Sequence, residues 1–141
     1  MTADSETIVR AFYDAIVPGH RERVFSLQAS HIVYELPEGM PAGGGRFEGI
    51  KDVLERFLPD FYGALDVHFG AEDYITSGEH VVAIGRLRGK TREGAIPIDV
   101  PFVQVWTVRD DHLQRMRFFT DTAILTQALN KVGAQRADKP L

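Results

Sequence analysis

Three polar side chains lie within otherwise apolar segments of this sequence, where they could bind or activate a small molecule. Arg86 lies in VVAIGRLRG, Tyr34 in HIVYEL and Gln104 in VPFVQVWTV. A guanidinium can bind a carboxylate, a carbonyl or a developing oxyanion, and a phenol can donate a hydrogen bond. A buried carboxamide needs hydrogen-bond partners, which a ligand or a water could supply. We therefore take Arg86 and Tyr34 as candidate catalytic residues and Gln104 as a candidate ligand-binding residue.

Each polar residue also has a purely structural interpretation. Arg86 could form an ion pair at the rim of a cavity with Glu38, Glu48 or an acidic residue of a helix, because an interior charge must have a partner. Tyr34 could be a core residue whose hydroxyl reaches the rim. Asp121 ends a predicted strand and begins a predicted helix, so its carboxylate is expected to cap that helix.

Several kinds of chemistry are excluded or disfavoured. The chain has no cysteine, which rules out disulfides, thiolate catalysis and Cys-ligated metals. None of the five histidines has i, i+2 or i, i+4 spacing to another, and no HExxH motif occurs. The glycines of residues 43–49 lack the spacing of a dinucleotide-binding motif. We therefore expect neither a metal nor a cofactor.

Size and charge describe one ordinary globular domain. The chain has 141 residues, 44% of them hydrophobic and 26% charged, with a formal net charge of -4. The absence of a run of Lys or Arg argues against nucleic acid and anionic membranes as partners. The first twenty residues lack an uninterrupted apolar block, so a cytoplasmic protein is expected. We predict one domain over residues 1–133 and a flexible C-terminal tail over residues 134–141.

The segment 100–121 is predicted to be the centre of the fold. It reads as two long strands that join at Asp110-Asp111 and lead into a C-terminal helix. Apolar residues occupy both alternating sets, so both faces of this hairpin need cover. One face is predicted to carry Phe102, Gln104 and Trp106, and the other Val103, Val105 and Thr107.

Helical periodicity dominates the first half of the chain. A first helix is expected to begin after Asp4 or Ser5 and to end at Pro18-Gly19, and a short second helix carries Val24 and Leu27. A third follows over residues 50–61, where Pro59 should kink or end it.

Strands are expected over residues 31–36, from residue 65 and over residues 81–88, which makes an α+β fold with antiparallel strands. The Pro/Gly-rich residues 37–49 are interpreted as a mobile loop in which Met40 and Phe47 act as a lid. Val81, Ala83, Val103, Val105 and Phe119 are predicted to leave an apolar outer sheet face, which favours a homodimer through the sheet.

The element order, together with YELPEGMP, GGGRFEGIKDVLERF, VVAIGRLRG and VPFVQVWTVRDDHLQRMRFFTDTAIL, resembles the nuclear transport factor 2-like superfamily, and within it the SnoaL-like, ketosteroid-isomerase-related proteins. The resemblance implies a cone-shaped α+β barrel, in which a curved sheet and three helices enclose a deep apolar pocket. It also implies a dimer through the sheet and a pocket that faces Arg86. Because this superfamily includes isomerases, cyclases and hydrolases as well as non-catalytic domains, the fold alone does not give a function.

The catalytic positions of the family carry over poorly. The carboxylate base of the steroid isomerases falls on Leu36, and their two oxyanion donors fall on Phe12, beside Tyr13, and on Phe102. Steroid isomerisation needs a base and two donors, so that reaction is rejected in its known form. The catalytic arginine of the epoxide hydrolases matches Arg86, but their two catalytic carboxylates fall on Arg88 and Phe118, so that mechanism also fails as written. The base of the polyketide cyclases likewise falls on Phe118.

The resemblance thus predicts a protein that binds a small, largely apolar molecule with a carbonyl or carboxylate. It is either a cofactor-independent isomerase-, cyclase- or hydrolase-like acid–base enzyme or a non-catalytic binding or dimerisation module. For an enzyme, Glu38, Glu48 and His80 are the remaining candidate bases. Beside Arg86, Tyr34 and Gln104, the pocket is predicted to be lined by Tyr13, Leu36, Phe57, Phe61, Phe102, Trp106, Met116 and Phe118.

Overall fold

The computed structural model describes residues 4–16 and 20–137, which form the predicted α+β fold with a curved six-stranded sheet. The helices are α1 (Ser5–Ala15), α2 (Arg21–Ser26), α3 (Ile50–Asp52), α4 (Leu58–Ala64) and α5 (Thr122–Ala137). The strands are β1 (Gln28–Leu36), β2 (Gly45–Glu48), β3 (Leu65–Ser77), β4 (His80–Thr91), β5 (Pro97–Arg109) and β6 (His112–Thr120). The predicted helix end at Pro18-Gly19 lies outside the described residues.

The strands are ordered β2-β1-β6-β5-β4-β3, and neighbouring strands are antiparallel except for β1 and β6. The parallel pair corrects the prediction of a purely antiparallel sheet. It is possible because most of the chain separates β1 from β6, whereas a short turn can join only antiparallel strands. Strand β2 was not predicted, since its four residues lie in the glycine-rich stretch that was interpreted as a loop.

The helix over residues 50–64 passes through Pro59 instead of ending there. A π-helical turn, Val53–Phe57, joins α3 to α4, and the Leu58 N–H donates to the carbonyl of Val53. Pro59 then lies in the first turn of α4, where its missing N–H does little harm. The rings of Phe57 and Phe61 stack with centroids 5.3 Å apart, so both halves of the helix contribute to one apolar surface.

Both long terminal helices carry the predicted acidic caps. The carboxylate of Asp4 accepts from the Thr7 N–H at 2.8 Å, and that of Asp121 accepts from the Ile124 N–H at 3.0 Å. Helix α5 continues beyond Gly133 to Ala137, because the strong helix formers that follow offset one exposed glycine. The helix thus extends past residue 133, the predicted end of the domain, and residues 138–141 of the predicted tail lie outside the described part of the chain.

The sheet has a buried inner face and a half-buried outer face. On β5, Phe102, Gln104 and Trp106 point inward as predicted, and Val103 and Val105 point outward. On β4 the inner residues are Val81, Ala83, Gly85 and Leu87, so the prediction of an outward Val81 and Ala83 is wrong. The register decides this, because Ala83 pairs with Gln104 and directly paired residues share a face.

Candidate functional site

An apolar hollow of about 100 Å³ lies between the inner sheet face and the helices. Its floor consists of buried side chains, namely Phe12, Gln28, Tyr34, Val53, Phe57, Phe69, Gln104, Trp106 and Met116. Its rim consists of half-buried side chains, namely Ile16, Val24, Phe25, Leu58 and Tyr62. An apolar cavity of about 150 Å³ holds benzene, so this smaller hollow takes in at most part of one ring, and the rest of a molecule must extend through the rim.

A hydrogen-bond chain fixes the orientation of Gln104. The indole Nε1 of Trp106, which can only donate, donates to the Tyr13 hydroxyl at 2.9 Å. The Tyr13 hydroxyl in turn donates to Gln104 Oε1. The carboxamide nitrogen therefore points the other way, and Nε2 lies 3.7 Å from the Met116 sulfur. The second N–H of Nε2 has no acceptor among the residues that the structure describes.

A second carboxamide, that of Gln28, is held in the same manner. Its Nε2 donates to the main-chain carbonyl of Val24 at 3.2 Å, and a carbonyl can only accept. Its Oε1 therefore faces Tyr34, whose hydroxyl donates to it at 2.6 Å. Two tyrosines thus orient two glutamines in the floor of the hollow, and each glutamine has one N–H that is not hydrogen-bonded to any described residue.

The hollow contains no strong acid or base. Its lining residues carry no carboxylate, imidazole, amine or guanidinium in the described part of the chain. Burial raises the pKa of the Tyr13 and Tyr34 hydroxyls far above the ordinary value and raises the pKa of Tyr62 to about 12. At neutral pH these phenols are therefore neutral donors, and the hollow can offer hydrogen bonds but no proton acceptor of ordinary basicity.

Arg86 lies outside the hollow, which corrects the prediction that it faces the pocket. Its cross-strand partner is Pro101 on the outer sheet face. Its Nε donates to a carboxylate oxygen of Asp99 at 2.6 Å, and this hydrogen bond lowers the pKa of Asp99. Arg86 thus forms an ion pair, although with Asp99 rather than with Glu38 or Glu48.

The other predicted lining residues divide into two groups. Tyr34, Phe57, Gln104, Trp106 and Met116 line the hollow. Tyr13, Leu36, Phe61, Phe102 and Phe118 are buried but are not among the lining residues.

Aromatic packing explains much of that second group. Phe69 lies with its ring centroid 5.2 Å from Phe102, 5.6 Å from Phe118 and 6.0 Å from Phe61, so these rings fill part of the cone that was expected to be empty. The hollow is correspondingly small.

Neither the candidate bases nor the predicted lid reach the hollow. Glu48 pairs with Arg46 at 2.8 Å, His80 is exposed at the start of β4 with its ring 3.3 Å from the Thr107 hydroxyl, and Glu38 is exposed. Met40 is buried, and Phe47 lies on β2 with its ring 5.4 Å from Phe57, so neither residue covers the rim.

Gln28 and Tyr62 are the functional candidates that sequence reasoning missed. The strand was predicted to begin at His31, and an irregularity in the β1–β6 register between Gln28 and Val33 interrupts the inside–outside alternation. Tyr62 follows Phe61 in α4 and lies at the edge of the apolar face of that helix rather than at its centre. A signal for Gln28 was nevertheless present, since a glutamine among apolar residues before a strand resembles Gln104.

Comparison with known proteins gives one family and many similar structures. A family model described as a SnoaL-like domain matches residues 9–116. An NTF2-like protein of unknown function from Burkholderia pseudomallei has 23% sequence identity and a TM-score of 0.81, covering 90% of this chain and 98% of its own. TerC, which was crystallised with polyporic acid, also has 23% identity and a TM-score of 0.81, with coverage of 91% and 99%.

A protein assigned provisionally as a SnoaL-like polyketide cyclase, from Jannaschia, has 23% identity and a TM-score of 0.69, with coverage of 87% and 88%. No curated protein matches the chain. At these identities the similar structures establish the fold alone.

No helix of the described residues is long and apolar enough to cross a bilayer. No three histidine, aspartate or glutamate side chains in the described ranges come close enough together to hold a metal ion.

Proposed function

Since the chain belongs to the SnoaL-like domain family of the nuclear transport factor 2-like superfamily, we propose that it binds a small, largely apolar molecule and holds an uncharged part of it, with a carbonyl group, in the hollow. The observation that carries this proposal is the pair of oriented carboxamides in the floor of the hollow. Gln28 and Gln104 each have an N–H without an acceptor among the described residues. A carbonyl oxygen would accept such hydrogen bonds, and the aromatic floor would cover the rest of the molecule.

A carboxylate is a poorer occupant of the hollow itself. Transfer of an ionised carboxylate from water to an apolar site is costly unless a charged partner is present, and no cation lies among the lining residues of the described chain. The binding proposal therefore favours the carbonyl over the carboxylate for the buried part of the ligand. The crystals of TerC with polyporic acid support the choice of a ligand-binding role for this fold.

The alternative function is catalysis without a cofactor, of the isomerase, cyclase or hydrolase kind. The similarity to a provisionally assigned SnoaL-like polyketide cyclase supports it. The absence of a carboxylate or imidazole among the described lining residues argues against it, because general acid–base catalysis needs a base within hydrogen-bond reach of the substrate. We therefore rank binding above catalysis.

We also propose that the protein acts as a homodimer through the outer sheet face. Val82, Ile84, Val103 and Val105 lie half-buried on this face, while Ile75 and Phe119 are 60% and 44% exposed. Together they form an apolar surface on neighbouring strands, and water contact with such a surface is unfavourable. A second copy of the same face would cover it symmetrically.

The binding proposal can be tested with acetophenone and benzoate, which have the same ring but differ in charge. Trp106 is the only tryptophan of the sequence and lies in the floor of the hollow, so its emission should report occupation. We expect calorimetric titration to give binding of acetophenone and weaker or no binding of benzoate. Val53→Phe should abolish binding by filling the hollow, and Gln104→Met should weaken it by removing a donor.

Leu54→Phe, on the same π-helical turn but outside the lining residues, serves as the control for Val53→Phe. If Val53→Phe binds acetophenone as well as the parent does, the hollow is not the binding site. If benzoate binds more tightly than acetophenone and Gln104→Met leaves both unchanged, the carbonyl is not recognised by the carboxamide.

A further inference from the structure

A second cleft, of about 270 Å³, adjoins the hollow at its rim. Ile16, Tyr62 and Phe69 line both spaces, so these three side chains form the boundary between them. Beyond this boundary the cleft is lined by Asp66, Val67, His68 and Arg92. The charged groups that the hollow lacks therefore lie directly outside it.

The guanidinium of Arg92 is held in this cleft by hydrogen bonds to the helix. Its Nε donates to the main-chain carbonyl of Tyr62, and the Arg92 main-chain N–H donates to the carbonyl of Ala64 at 3.0 Å. Arg92 is thereby fixed to the same residue whose ring forms the rim of the hollow. No carboxylate of the described residues lies within 4 Å of its guanidinium.

The two terminal nitrogens of Arg92 can therefore donate hydrogen bonds to a ligand. A guanidinium whose Nε is already occupied still presents four N–H groups at its end, in the planar arrangement that binds a carboxylate through two parallel hydrogen bonds. Among the described residues that line the cleft, Asp66 is the one with an acidic side chain, and Lys90 lies directly opposite it on β4. Because cross-strand partners project to the same side, the charge of Lys90 offsets that of Asp66.

We propose that the ligand is an amphipathic carboxylic acid, whose apolar end fills the hollow and whose carboxylate binds Arg92 in the adjoining cleft. This inference rests on the proposed binding function and extends it by a second subsite. The hollow is too small for more than one ring and rejects charge, whereas the cleft is open to water and holds a fixed cation. A molecule with a ring at one end and a carboxylate at the other meets both conditions, and its chain crosses the boundary at Tyr62.

The test uses a series of phenylalkanoates of increasing chain length, from benzoate to 6-phenylhexanoate, together with their primary amides. Calorimetry on the parent protein should show that affinity for the acids rises at the chain length that reaches Arg92, where the acid binds more tightly than its amide. Arg92→Gln should weaken binding of that acid about fivefold and leave the amide unchanged, as expected for a partly exposed ion pair. Lys51→Gln, which removes an exposed cation of α3 that lines neither space, is the matched control and should change neither.

Three outcomes decide between the proposals. Equal binding of acid and amide at every chain length, unchanged by Arg92→Gln, overturns the subsite but leaves the hollow as a binding site. Equal loss of acid affinity in Lys51→Gln and Arg92→Gln also overturns it, because the loss then reflects the net charge of the protein rather than a contact with Arg92. Failure of acetophenone and of every phenylalkanoate and amide to bind overturns the proposed function itself, and the subsite with it.

Salt provides a second measurement in case Arg92→Gln does not fold. The preference of the parent protein for the acid over its amide should fall as ionic strength rises, because salt screens an exposed ion pair but not an apolar contact. A preference that does not change with salt contradicts the role of Arg92.

Discussion

Replacing Tyr13 with phenylalanine removes one oxygen atom from the middle of a buried hydrogen-bond chain. That oxygen accepts from Trp106 Nε1 and donates to Gln104 Oε1, and neither atom has another hydrogen-bond partner among the described residues. Tyr13→Phe therefore leaves a buried donor and a buried acceptor without partners. Each such group costs about 1–3 kcal/mol, so we expect a loss of about 3 kcal/mol in the free energy of unfolding.

Two matched substitutions turn this prediction into a graded series. Tyr34→Phe leaves only Gln28 Oε1 without its partner and should cost about 1.5 kcal/mol. Tyr62→Phe removes a hydroxyl that makes no hydrogen bond with the described residues, and it should stay within about 0.5 kcal/mol of the parent. The chemical change is the same in all three variants, so the differences report only the partners left behind.

Urea unfolding followed by circular dichroism measures the series, and thermal melts check it. At about 3 °C per kcal/mol for a domain of this size, Tyr13→Phe should melt about 9 °C below the parent. Three variants with equal losses, or a Tyr62→Phe loss as large as that of Tyr13→Phe, would refute the reasoning. The emission of Trp106 should also shift in Tyr13→Phe, since its N–H loses the acceptor.

Three further predictions concern the sheet. Val103→Asp should convert the proposed dimer into a monomer in sedimentation experiments, whereas Ile124→Asp, equally a new charge but on α5, should leave the assembly unchanged. Hydrogen bonding to Arg115 lowers the pKa of Glu35 in the folded protein. The ionised Glu35 therefore stabilises the folded state above the unfolded-state pKa of about 4.3, and this stabilisation is lost as pH falls through the folded-state pKa. Glu35→Gln should therefore reduce the acid dependence of the unfolding free energy by up to about 1 kcal/mol, measured by urea titrations between pH 3 and 7. Gly85→Ala should cost about 3 kcal/mol or prevent folding, because a Cβ would lie 1.9 Å from the carbonyl oxygen of the neighbouring strand, whereas Gly63→Ala has open space and should be neutral or slightly stabilising in melts.

The fold could be predicted from the sequence because its signals are local and repeated. The stripe of residues 50–61, the alternation in β5 and the Asp4 and Asp121 caps each specify one element, and the family resemblance supplies their arrangement. The parallel pairing of β1 with β6 is a contact between distant segments, and no local pattern encodes it. Strand β2 was missed because glycines dominate its surroundings, although it pairs with β1 from Gly45 to Glu48.

The site was harder to predict because it depends on which way each strand faces. In VVAIGRLRG both alternating sets are apolar at first, so hydrophobicity did not decide the inner face of β4, and Arg86 was placed on the wrong side. The charges at Arg86, Arg88 and Lys90, all in the same alternating set, were the better guide to the water-facing side. Gln28 belongs to the same alternating set as Tyr34 and Leu36, but the exposed Ser30 and His31 interrupt the pattern before it, and the strand was predicted to begin only at His31.

Because of the π-helical turn Val53–Phe57, the shape of the hollow depends on the number of residues in this helix. A π-turn contains one residue more than the α-helix it interrupts, so losing that residue would rewind the helix without moving its ends. The wide spacing between Val53 and Phe57, both of which line the hollow, would then close, while the sheet and the outer face stayed as they are. A single-codon deletion in this helix is therefore a route by which the same scaffold could acquire a differently shaped interior.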